Sequence, residues 1–167
     1  MNGDNSISSV LEQLKNNGRA MTYTKGVSMR PMLKTGRDIS VLVPARDVKK
    51  GDVVLYKRLR NKKTEFVLHR IIKINRDGTF LIRGDNTFTD ETVSRDSIIA
   101  ELEGFYRKGK YIDCKKSKPY RIYIAVWSPI YPIRRFVCCT LRKVAATIKN
   151  KVFHLNDLHL NDIIDWE

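Results

Sequence analysis

Glu65-Phe66-Val67-Leu68-His69-Arg70-Ile71-Ile72-Lys73-Ile74, then Asn75-Arg76-Asp77-Gly78, then Thr79-Phe80-Leu81-Ile82-Arg83, is the stretch that decides the fold. Both apolar runs are rich in β-branched and aromatic residues, and the Asn-Arg-Asp-Gly set between them is turn chemistry. A β-hairpin is therefore predicted over residues 65–83. The two-residue period of a strand places His69 on one face with Val67 and Ile71. Working outward, residues 39–43 form a strand bounded by Pro44, and residues 52–57 form another that starts after Gly51. Residues 98–106 and 111–114 flank the turn Arg107-Lys108-Gly109-Lys110. Several short strands at close spacing predict a mainly β fold, as a partly closed barrel or coiled sheet. Ahead of them, Ile7, Val10, Leu11 and Leu14 share a face of a short helix over residues 4–17, which Asn16-Asn17-Gly18 ends.

The charge pattern changes beyond the strands. The chain of 167 residues has a net charge of +14, distributed unevenly. Residues 115–151 hold ten Lys or Arg and no Asp or Glu, whereas residues 152–167 hold four acids and no Lys or Arg. Ile133, Phe136, Val137, Leu141, Val144 and Ile148 recur at helical spacing, with Arg134, Arg135, Arg142, Lys143 and Lys149 among them. This predicts a C-terminal basic amphipathic helix, preceded by an aromatic lead-in that Pro129 and Pro132 break. Three regions follow: a β domain over 1–118, a basic aromatic segment over 119–151 and an acidic tail over 152–167. The basic segment suits an anionic surface, with Arg134, Arg135, Arg142 and Lys143 as its contacts; phospholipid is expected rather than nucleic acid. Packing of the same apolar face on the β domain is an equal alternative.

Other classes are less well served. Cys114, Cys138 and Cys139 make no disulfide framework, and no Cys or His spacing suggests zinc, so no metal or cofactor is implied. Reduced thiols and an N-terminus without a basic, apolar leader pattern predict a cytoplasmic protein, peripheral at the inner membrane face if the basic segment binds there. The most apolar stretch, residues 122–139, is too interrupted by Pro and Arg to predict a membrane-spanning helix.

Chemistry concentrates in Gly26-Val27-Ser28-Met29-Arg30-Pro31-Met32-Leu33. A nucleophilic serine needs an exposed hydroxyl on a stiff backbone, which a preceding glycine and a following proline supply. The backbone N–H of Ser28 is then a candidate oxyanion donor, with Gly26 shaping the turn. A serine hydroxyl is a poor nucleophile until a base takes its proton. Of three histidines, His154 and His159 lie in the acidic tail, which leaves His69.

Ser28-Met29-Arg30-Pro31-Met32-Leu33, Gly51-Asp52-Val53-Val54, His69-Arg70-Ile71 and Gly84-Asp85-Asn86 occur in that order. In this the chain resembles the signal peptidase I superfamily, which also contains the repressor-type autoproteases, over residues 26–103. His69 stands where other branches have lysine, as in the archaeal, endoplasmic-reticulum and spore-former branch. The resemblance implies a mostly antiparallel, coiled β domain in which Ser28 attacks a peptide bond and His69 takes its proton. It implies a preference for small side chains before the cut. A histidine base is usually oriented by a carboxylate. The loop after Gly84 offers Asp85, Asp90 and Glu91; the spacing in the histidine branch favours Asp90, with Asp85 second. Asp38 and Asp52 are expected to be structural. The chain departs from the family at Gly26, where bacterial members carry a hydroxyl, and at Gly36-Arg37-Asp38, which has one residue more than the usual Gly-Asp.

The expected function is a serine endopeptidase that removes leader or signal segments. A self-cleaving repressor-like regulator is an alternative, although the residues before Gly26 are too few for a helix-turn-helix module. A non-catalytic module that binds membrane or nucleic acid is the other.

Overall fold

The structure, a computed structural model, describes residues 4–138, 140, 141 and 147. The chain is mainly β. A helix, α1 (Asp4–Asn17), precedes eight strands: β1 (Ala20–Tyr23), β2 (Asp38–Pro44), β3 (Val53–Arg60), β4 (Lys63–Ile74), β5 (Phe80–Arg83), β6 (Glu91–Val93), β7 (Ile98–Arg107) and β8 (Lys110–Asp113). A second helix, α2 (Lys118–Trp127), follows. All strand pairings are antiparallel, in the order β1-β2-β7-β3-β4-β5-β6, with β8 paired to β7. Strands β1 and β6 end this path, so the sheet is not closed into a full barrel.

Local chemistry explains the hairpins. Asn61 and Lys62 both have positive φ, the two-residue turn whose twist matches antiparallel strands, and they join β3 to β4. The predicted turn at 75–78 closes with Asn75 N–H donating to Thr79 O and Gly78 N–H to Asn75 O. The first half of β3, Val53 to Tyr56, is buried on both faces. Val53 and Leu55 join a core with Val10 and Leu14 of α1, Met29, Leu33 and Phe105. Val54 and Tyr56 join a second core with Ile71, Ile82 and Ile98.

The aromatic stretch after Pro119 is itself helical, which corrects the reading of it as a broken lead-in. Ser117 caps α2 by accepting from the Tyr120 N–H, and Pro119 sits in the first turn, where its missing N–H costs nothing. Tyr120 is buried in the first core and Tyr123 and Ile124 pack against it. Residues up to Ser128 form one compact unit, and Pro129 begins another. In the second, residues 131–138 are helical, where part of the basic helix was expected. Arg142, Lys143, His154, His159 and the acidic tail lie outside the described residues.

Asp38 opens β2 and is fully buried, as its expected structural role requires. Its carboxylate accepts from Arg37 (Nε at 2.8 Å), Arg107 (Nε and Nη2 at 3.1 Å) and the Lys34 N–H (3.0 Å), tying the 32–38 turn to the end of β7. Burial alone would raise the Asp38 pKa, but these hydrogen bonds outweigh it and hold the group well below the carboxylate range. A depressed folded-state pKa contributes stability that is present above the unfolded value near 3.8 and is lost as pH falls below it. Both arginines are about one third exposed and can turn to water, which moderates the loss when Asp38 is removed. Asp38→Ala should therefore cost about 2 kcal/mol in urea unfolding at neutral pH, and clearly less under acid conditions.

Candidate functional site

Strand β4 presents two consecutive residues to opposite faces, and both are buried: His69 at 5% exposure and Arg70 at 1%. The β4–β5 register pairs Arg70 with Arg83, and one further step sets Gly84 opposite His69. Asp85 then falls on the face of Arg70, diagonal to it. One strand thus carries a titratable ring on one side and an ion pair on the other.

On the Arg70 side every guanidinium donor is used. Nε donates to Asp85 Oδ1 (2.7 Å) and Nη2 to Oδ2 (2.6 Å), a bidentate pair. Nη1 donates to Gly51 O (2.7 Å) and Tyr120 Oη (3.1 Å), and Nη2 also meets Met32 Sδ at 3.0 Å. Asp85 in turn accepts from Tyr123 Oη at 3.0 Å, and its backbone oxygen accepts from Trp127 Nε1 at 2.9 Å. Asp85 is therefore committed to holding α2, the Gly51 turn and β4 together, and is not the residue that orients His69. Its charge still favours the protonated imidazole through space.

Gly84 brings the serine turn to the histidine. A Cβ built at Gly84 would lie 2.8 Å from Ser28 O and 2.9 Å from His69 Nε2, so any side chain there would displace one or both. The turn is fastened by Asn86 N–H donating to Ser28 O (2.7 Å) and Asn86 Nδ2 to Val27 O (3.3 Å). Gly26 has φ +80, the left-handed region that favours glycine, and its carbonyl accepts from Thr35 Oγ1 at 2.6 Å. Ser28 is half-buried, Met29 belongs to the first core, and the Arg30–Pro31 bond is cis.

The partner of the other ring nitrogen is one the sequence reading missed. His69 Nδ1 lies 3.3 Å from Tyr56 Oη, and Tyr56 O–H donates to Glu91 Oε2 at 2.9 Å. Glu91 also accepts from Arg58. Burial, then the Glu91 charge, pushes the Tyr56 pKa up, so its hydroxyl stays protonated. Burial would raise Glu91, but the Arg58 and Tyr56 hydrogen bonds keep it below its usual value and ionised. A phenol has one proton, and Tyr56 gives it to a carboxylate that can only accept. Toward His69 the oxygen can therefore only accept, so Nδ1 carries the hydrogen. The lone pair is then on Nε2, the nitrogen beside Gly84 and Ser28. Burial is also the leading cause that lowers the His69 pKa below 6.5, so the ring is neutral at neutral pH.

Asp90, the expected orienting acid, is turned elsewhere: it forms a two-pronged pair with Arg83, with Nη2 to Oδ2 at 2.9 Å. The carboxylate that reaches the histidine, through Tyr56, is its neighbour Glu91. Strand alternation is the reason. Glu91 pairs with Ile82, which pairs with Ile71, so it shares the His69 face. Among the described residues no group of His, Cys, Asp or Glu is placed to hold a metal ion.

Beside Ser28 and Met29 runs a groove of about 610 Å³, between residues 22–26 and residues 64–68 of β4. One wall is the end of β1 and the residues that follow it, and the other is a strand edge. Strand β1 ends the sheet, and β4 pairs only with β3 until β5 joins at Arg70.

No family model matches the chain, and no curated protein or solved structure matches it.

The tautomer is open to direct measurement. Nitrogen-15 NMR of His69 should show a neutral ring protonated at Nδ1 at pH 7. Tyr56→Phe should leave Nδ1–H without its acceptor and shift the ring toward a mixture of tautomers, and an unchanged spectrum would contradict the assignment.

Proposed function

We propose that the chain is a serine endopeptidase of the signal-peptidase type, with Ser28 as nucleophile and His69 as general base. The observation that carries this reading is the convergence at Gly84: the unprotonated nitrogen of a neutral, buried histidine and the serine turn lie against one side-chain-free residue. A lone histidine in a strand core is ordinarily inert. This one has a fixed tautomer, and its basic nitrogen and the Ser28 backbone oxygen both lie against Gly84, which supports general-base chemistry.

In the proposed reaction Ser28 Oγ attacks the scissile carbonyl carbon while its proton passes to His69 Nε2. The tetrahedral oxyanion is held by backbone N–H donors of the serine turn, since Gly26 offers no hydroxyl. The imidazolium formed has its Nδ1–H on Tyr56, and the negative charge of Glu91 favours it. It then protonates the leaving amine, and water hydrolyses the acyl-serine by the same proton path in reverse. The groove suits an extended segment that adds a strand to the free edge of β1 or β4, a mode that reads backbone first and side chains at alternate positions. Leader or signal segments, which are extended before folding of the mature part, are the proposed substrates. The signal-peptidase or repressor-autoprotease variety of β domain is part of the same proposal, supported by the four ordered motifs meeting around one site.

Incubation with leader-bearing peptides, read by mass spectrometry, tests the reading. Ser28→Ala and His69→Ala should each lower kcat/KM by at least about a thousandfold while circular dichroism shows the fold retained. For the wild type, kcat/KM should rise with pH through a single midpoint below 6.5, because burial depresses the base and its neutral form is the active one. Cleavage that persists in Ser28→Ala, or a midpoint above 6.5, would refute the assignment.

A further inference from the structure

The exposed apolar side chains of the described chain are concentrated after the strands. Helix α2 turns Tyr120, Tyr123 and Ile124 toward the β core, yet Ile122 is 63% and Val126 54% exposed on its opposite side. A helix apolar on its outer face as well as its inner one is not explained by packing on its own domain. Lys118 and Arg121 share that outer face by the helical period, and both are exposed. The second unit repeats the pattern by itself. Ile133, Phe136, Val137 and Leu141 follow the three- and four-residue spacing of one helix face, all exposed, next to Arg134 and Arg135. From residue 114 to residue 141 there is no acidic side chain at all.

We infer that the outer face of α2 and the apolar stripe of residues 133–141 dock on an anionic phospholipid surface. Charge complementarity selects this occupant. A second copy of either patch would bring its own cations, Lys118 and Arg121 in the one and Arg135 in the other, against their own kind, and residues 114–141 supply no acid to offset them. Nucleic acid would satisfy the charge and could stack a base on Phe136, but it offers nothing to the aliphatic Ile122, Val126, Ile133, Val137 and Leu141 that make up the rest of the apolar surface. A bilayer interface takes both: aliphatic side chains enter the acyl boundary while Lys and Arg stay with the head groups. Among the described residues no helix is long and apolar enough to cross a membrane, and each apolar stripe is short, so the binding is interfacial. The consequence for the site follows from α2 alone. Tyr123 and Trp127 hold Asp85, one residue from Gly84, so docking of α2 would fix the serine–histidine site to the membrane surface. The docking itself does not depend on the site being catalytic.

Vesicle flotation of the full-length protein tests it. Wild type should float with phosphatidylcholine vesicles that contain phosphatidylglycerol, stay behind with phosphatidylcholine alone, and be released by high salt. Ile122→Glu with Val126→Glu, and separately Ile133→Glu with Phe136→Glu, should each lower the partition coefficient at least about tenfold. Arg121→Glu with Arg135→Glu gives a second, charge-based test that leaves every apolar residue in place. Each variant is compared by circular dichroism melting. Ser28→Ala should float like the wild type, which separates this inference from the peptidase reading. Absence of wild-type flotation, equal flotation on uncharged vesicles, or variants that melt and float like the wild type would each overturn the inference. So would a gel shift with a single-stranded oligonucleotide in the absence of vesicle binding.

Discussion

The bidentate pair between Arg70 and Asp85 is the interaction on which the rest of the site depends. Two opposite charges taken out of water are stabilising only when nearly all of their remaining hydrogen-bonding capacity is met. Here the guanidinium has five donors, and all five are engaged. Its partners come from the Met32 loop, the Gly51 turn, the Gly84-Asp85-Asn86 turn and α2, four pieces far apart in sequence. Each would have its own freedom if tied only by loops, and the charge pair removes that freedom at once. Removal of either member would leave a buried charge unpaired, so the cost falls on all four pieces together rather than on one contact.

The histidine on the opposite side of β4 has a different electrostatic setting. A directly bonded carboxylate would raise its pKa strongly. With a neutral tyrosine interposed, burial wins and the pKa stays below the ordinary value, while Glu91 still fixes the proton on Nδ1. Orientation and basicity are separated: Tyr56 supplies the first by geometry, and Glu91 tempers the loss of the second through space. The arrangement yields a base that is free at neutral pH and whose conjugate acid has a carboxylate nearby when it forms.

Much of the fold was legible because it rests on short-range rules. The β4–β5 hairpin follows from its turn residues, and α1 from the spacing of Ile7, Val10 and Leu14. Strands β1 and β6, of four and three residues, carry too few side chains to show alternation, and they exist because a neighbouring edge pairs with them. That loss propagated to the site. Without β6 as a strand, Asp90 and Glu91 cannot be assigned to opposite faces, and the acid beside the histidine cannot be chosen. Tyr56 was hidden for a related reason: its approach to His69 is a diagonal across β3 and β4, set by a register that pairs Val54 with His69. In α2 the misleading signals were Pro129 and Pro132, which lie beyond its last residue, Trp127, and so end the helix rather than interrupt it.

The position of α2 ties these levels together. An outer element attached only by apolar contacts could slide without consequence for a distant turn. Tyr123 and Trp127 instead bond Asp85 through its side chain and its backbone, and Gly84 beside it has no Cβ to absorb a shift. Displacement of α2 would therefore act on the residue whose closeness to Ser28 O and His69 Nε2 defines the site. The same helix carries apolar residues to the outside of the molecule, so the surface with most reason to meet another phase is two hydrogen bonds from the serine turn, through Asp85 and its neighbour Asn86. In this chain the support of the site and its exposed apolar face are one element, and neither can be altered without consequence for the other.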